Sequence, residues 1–147
     1  MKPTKLILVF FSILLFFTSC TKTADVVISS EKKVVNFLTG SGNRIWNLTN
    51  MYENSMETVL TQNQKKNTKT YTVNPSSPAE SYAGTLNTTD CGSGSWLLKG
   101  PANLIEVVQK NSVSTEIKYL INEISDTKLD IEYTQNYKTV RYVYIAY

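Results

Sequence analysis

Three hydropathy regimes follow one another along the chain. The first is an apolar run, Leu6 to Phe17, broken only by Ser12 and preceded by Lys2 and Lys5. A bilayer span needs about 20 apolar residues, so this run is too short to cross; with small residues Thr18 and Ser19 behind it, the pattern predicts a secretory signal peptide over residues 1–19. The second regime, after a short tether at 20–28, is a helix over 29–40. Ser30 suits its N-cap, Glu31 its first turn, Val34 and Leu38 lie one turn apart, and Gly40 suits the left-handed position that ends it.

From Arg44 the period drops to two. Trp46, Leu48, Asn50 and Tyr52 alternate with Ile45 and Met51, and the chain turns at Asn54-Ser55. Further strands are predicted at 56–61, at 68–74 with Lys69, Tyr71 and Val73 on one face, more weakly at 81–86 around Gly84, and at 95–99. In the strand 103–110, Leu104, Glu106 and Val108 alternate with Ile105 and Val107. Asn111-Ser112 links it to the most regular segment, in which Val113, Thr115, Ile117, Tyr119 and Ile121 oppose Glu116, Lys118 and Asn122. Ser125-Asp126 turns the chain into Leu129, Ile131 and Tyr133, and Gln135-Asn136 turns it into a last strand, 138–147. The polar stretches 62–67 and 87–94 read as loops, and Pro75 and Pro78 end the strand before them because neither can donate to a ladder. Eight or nine strands joined by short polar turns predict an all-β domain over 29–147. It is an antiparallel up-and-down meander that closes into an eight- or nine-stranded barrel, which removes its exposed edges.

Composition sharpens this. The 147 residues carry 15 Lys and Arg against 12 Asp and Glu; Lys2 and Lys5 leave with the leader, so the remaining chain is nearly neutral. Lys65, Lys66 and Lys69 sit among Asn and Gln, a polar turn rather than a nucleic-acid surface. No histidine is present. This removes Ser-His-Asp and Cys-His catalysis and most zinc sites, and neither a cofactor nor an enzymatic role is expected. Only carboxylate chemistry survives, and Glu106, Glu116, Glu123, Asp130 and Glu132 are expected on the solvated face of the sheet. Cys91, in the turn-rich 88–94, is either exposed or tucked under its loop, and Asp90 beside it disfavours a reactive thiolate.

Phe17-Thr18-Ser19-Cys20 resembles the lipobox of bacterial lipoproteins. The resemblance implies cleavage before Cys20, acylation of its thiol and attachment to a membrane. Thr21 in place of Asp favours the outer membrane of the cell envelope. Several chains of buried CH₂ groups, each contributing about 0.8 kcal/mol, make such an anchor stable.

A wider resemblance rests on the helix ending in Leu38-Thr39-Gly40, on Arg44-Ile45-Trp46-Asn47-Leu48, on Gly94-Ser95-Trp96-Leu97-Leu98, on 124–131, and on Arg141-Tyr142. Together with the lipobox these look like the lipocalin-like domain of Gram-negative lipoproteins. That resemblance implies a barrel holding a small apolar or amphipathic ligand, and a Trp packed under an Arg from near the barrel's end. Trp46 and Arg141 are the candidates for this pair, the alternative for Arg141 being an exposed cross-strand charge. Gly42 stands four residues before Trp46, whereas the family's Gly-x-Trp spacing occurs at 94–96. Trp46, Tyr71, Tyr82, Trp96, Tyr119, Tyr133 and Tyr142, with Tyr144, either line a pocket or fill the core. A filled barrel that presents its surface to an outer-membrane protein or a glycan is the alternative function.

Overall fold

The computed structural model describes residues 30–73, 82–90 and 92–147; the predicted signal segment and tether, with Cys20, and Pro75, Pro78 and Cys91 lie outside them. The described chain is an α-helix, α1 (Ser30–Thr39), followed by nine strands: β1 (Asn43–Glu53), β2 (Met56–Thr58), β3 (Thr68–Val73), β4 (Ala83–Thr88), β5 (Gly92–Lys99), β6 (Asn103–Lys110), β7 (Val113–Ile124), β8 (Lys128–Gln135) and β9 (Lys138–Ala146). Every pairing is antiparallel. β1 also pairs with β9, so eight strands close into a barrel and β2 lies as an extra strand against the far half of β1. The expected barrel is therefore present, with β2 shorter than the predicted 56–61 and a 3₁₀ turn at Gln64–Lys66 inside the predicted loop.

β1 serves two neighbours on the same side. Residues 43–47 pair with β3 and 51–53 with β2, while its other side runs along β9 with a register shift between Leu48 and Asn50. The shift corrects the simple alternation: Trp46, Leu48 and Met51 are buried, and Asn50 and Tyr52 are not. A second shift between Ile121 and Glu123 does the same for β7.

Three two-residue hairpins carry positive φ at both central positions: Asn54-Ser55, Asn111-Ser112 and Asn136-Tyr137. That geometry matches the right-handed twist of the flanking strands, and Asn tolerates it best among non-glycine residues. The third turn sits one residue later than the sequence suggested, because Gln135 pairs with Lys138. The predicted loop at 87–94 is also smaller than expected, since β4 and β5 pair as far as Thr88 and Gly92.

One end of the barrel is closed. α1 packs against β1, β3 and β7 and buries Val34, Val35 and Leu38. It ends at Gly40, whose φ is +61°. Its last carbonyls, which no helical N–H can reach, are taken by β1: the Trp46 indole donates to the Leu38 carbonyl at 2.9 Å and Arg44 donates to the Phe37 carbonyl at 2.7 Å. Arg44 also lies 5.7 Å from the Trp46 ring and 3.3 Å from Asp126 in the β7–β8 turn. The cation at Trp46 is thus Arg44 and not Arg141. Arg141 lies on the outer face, where it grips Asp130 with two hydrogen bonds of 2.7 and 2.5 Å and covers the Tyr52 ring at 5.2 Å.

Candidate functional site

The interior side chains form a column from the closed end to the open mouth. Trp46 and Trp96 are essentially inaccessible. The Trp96 indole crosses Gly84 to donate to the Thr72 carbonyl at 3.1 Å, and a Cβ at Gly84 would fall 2.7 Å from the indole nitrogen and 1.7 Å from that carbonyl oxygen. No residue larger than glycine fits beneath the ring. Tyr71 meets Trp96 edge-on, with centroids 6.1 Å apart.

At the centre lies an ion pair. Lys69 on β3 and Glu106 on β6 come from strands that are not neighbours, so they meet across the lumen. The lysine Nζ is 2.8 and 2.6 Å from the two carboxylate oxygens, and the Tyr71 hydroxyl donates to Oε1 at 2.5 Å. Glu106 is 1% exposed, which corrects its expected place on the solvated face. Asp130 is on the outer face as expected, but buried beneath Arg141. Burial acts to depress the Lys69 ammonium, yet the Glu106 charge and hydrogen bond outweigh it and hold the lysine above its ordinary value of 10.5. Burial, then the Glu106 charge, pushes the Tyr71 phenol well above 10.0. Lys69 therefore stays a cation, with the Tyr119 and Tyr144 rings 4.6 and 5.6 Å from its Nζ.

Tyrosines continue the column upward. Tyr119 meets Tyr133 edge-on at 5.4 Å, Tyr133 stacks on Tyr142 at 6.2 Å, and Tyr142 lies 6.2 Å from Tyr144. Burial raises the phenol pKa of both Tyr142 and Tyr144, and Tyr133 adds to the shift at Tyr142. Above them is a hollow of about 320 Å³ at the mouth, lined by Met51, Glu53, Tyr133, Gln135, Asn136, Lys138, Val140 and Tyr142. Its apolar floor is Met51, Val140 and the two tyrosines, and its rim includes the Lys138–Glu53 ion pair at 2.7 Å. A larger depression, about 590 Å³, lies on the outer wall of β4 to β7. Its charged side chains, Lys99, Glu116 and Lys118, are exposed, so no buried charge converges there.

The sequence candidates are thus divided by depth. Trp46, Tyr71, Trp96, Tyr119 and Tyr144 are buried in the column, Tyr133 and Tyr142 line the hollow, and Tyr82 packs against the core just before β4. Met51, Val140 and the Lys69–Glu106 pair were not among the candidates. The signal for the pair lay in the strand phase, which sets Lys69 with Tyr71 and Val73, and Glu106 with Leu104 and Val108. Among the described residues no group of three or more His, Cys, Asp or Glu side chains could hold a metal ion, and no helix is long and apolar enough to cross a membrane. Comparison with family models, curated proteins and solved structures finds no match for this chain.

Proposed function

We propose that this chain is a lipid-anchored, lipocalin-like binding protein of the bacterial cell envelope that takes a small apolar or amphipathic molecule at the mouth of its barrel. The observation that carries the reading is the mouth hollow. Its 320 Å³ is at the lower end of the range for small-molecule pockets. An apolar floor under a charged rim suits a molecule with one greasy and one polar end. Trp46, Tyr71, Trp96 and the Lys69–Glu106 pair fill the lumen below, so the ligand sits at the opening and does not penetrate.

Native mass spectrometry of the protein purified from its own host should reveal a bound small molecule. Tyr142→Ala, which removes one wall of the hollow, should weaken its retention about tenfold or more, consistent with losing one buried aromatic contact. Retention unchanged in that variant would place the ligand elsewhere. The anchor is tested apart from the ligand: a fatty-acid analogue should label the full chain and not Cys20→Ala. The filled lumen also favours a second reading, a module that works through its outer surface, and the absence of any co-purifying molecule would support it.

A further inference from the structure

Among the described residues, four large apolar side chains are exposed at the open end of the barrel, on three separate segments. Met56 and Val59, beyond the β1–β2 turn, are 72% and 90% exposed; Val113, at the β6–β7 turn, is 62% exposed; and Tyr137, at the β8–β9 turn, is fully exposed. The remaining exposed ones among the described residues are Ile45 and Leu120 on the outer wall and Tyr147 after β9. Tyr137 is the most telling. It occupies the second position of its hairpin turn with φ +62°, a left-handed conformation that glycine adopts freely and that costs a bulky residue about 1–2 kcal/mol. An aromatic ring is held there, in water, at a cost to the fold.

Cations accompany these tips. Lys110 lies directly across the ladder from Val113, Lys65 lines the same surface depression as Val59, and Lys66 follows it. Among the described residues none of the three forms an ion pair. The carboxylates at this end are engaged: Glu53 with Lys138, Glu57 with Asn50, and Asp90 with Asn67.

We propose that the open end of the barrel docks on a lipid bilayer, with Met56, Val59, Val113 and Tyr137 entering the interface and Lys65, Lys66 and Lys110 meeting anionic headgroups. The apolar tips are discrete protrusions separated by polar turn residues. A rigid protein partner needs a contiguous complementary patch, whereas a fluid interface accepts each protrusion on its own. Basic side chains beside apolar tips suit the negative potential of anionic lipid. This docking needs no occupant in the mouth hollow, and the acyl anchor is a separate attachment.

The test uses the mature chain, from residue 20 onward and carrying Cys20→Ala, so that neither the apolar leader nor an acyl group contributes. It should co-sediment with phosphatidylglycerol-containing vesicles and more weakly with phosphatidylcholine vesicles. In that background Val113→Trp should add an emission component that shifts to the blue on vesicle addition as the new indole enters the interface, while the emission of the buried Trp46 and Trp96 stays constant. Tyr137→Gly should lower vesicle partitioning about threefold, and the combination Val59→Ser, Val113→Ser and Tyr137→Gly at least about tenfold, as expected from removing apolar area at an interface. Tyr137→Gly should also raise the denaturation midpoint, so that lost binding cannot be ascribed to lost folding. Vesicle binding equal in all variants, no vesicle binding by the parent, or tip-dependent self-association without vesicle binding would each overturn the proposal.

Discussion

Lys69 and Glu106 are the residues on which the interior turns. Each is buried and each answers the other, with Tyr71 taking up a further acceptor site on the carboxylate. Removing one charge strands its partner in a low-dielectric interior, where the loss is typically about 3–5 kcal/mol, whereas replacing both with apolar groups of similar size is often neutral. Lys69→Met alone and Glu106→Leu alone should therefore lower the urea midpoint strongly, and the double variant should recover most of the loss. A double variant as unstable as the sum of the singles would show that the two charges do not act as a pair.

At the scale of elements, the chain is a series of short strands whose links do much of the specifying. Asn54, Asn111 and Asn136 each supply a left-handed residue at the start of a tight hairpin. Ser112 follows in the same region of φ without the side-chain amide that helps Asn. Ser112→Gly should stabilise the domain by about 1 kcal/mol, read as a higher urea midpoint with an unchanged slope. Two of these turns, the helix with its Gly40 stop and the long alternation of β7 were legible in the sequence because each rests on local rules of φ and period. The shift at Leu48/Asn50 was not: it arises in the ladder with β9, far along the chain, which no window of alternating residues reports. The same holds for Glu106. Its phase placed it with Leu104 and Val108, but only the distant Lys69 makes burial of that carboxylate tolerable. Arg44 took the place expected of Arg141 because the helix end that β1 caps brings Arg44, two residues from Trp46, over the indole.

For the whole molecule, the titrating groups give a stability profile with two limbs. Lys69 has a raised pKa in the folded state, so its contribution is complete below 10.5 and is lost as pH rises above that value. Tyr71, Tyr142 and Tyr144, also raised, act in the same direction: above 10.0 the unfolded chain releases phenol protons that the folded chain keeps, which favours unfolding. At the acid end burial opposes ionisation of Asp130, but the hydrogen bonds and charge of Arg141 prevail and lower its pKa. Its contribution is present above 3.8 and fades as pH falls below it. With no histidine in the chain, urea midpoints should be nearly level from about pH 5 to 9, fall above pH 10 and fall again below pH 4. A transition near neutrality would contradict this profile.

The closing seam joins β1 to β9, with Trp46 opposite Ala146 and Glu53 opposite Val140. A polypeptide made amino end first therefore exposes the hydrogen-bonding edge of β1 until β9 has appeared. Pairing across so long a contour has a large loop-closure entropy and is intrinsically slow. During synthesis the vulnerable moment comes late, and a chain truncated before Lys138 would keep two naked strand edges available to its neighbours.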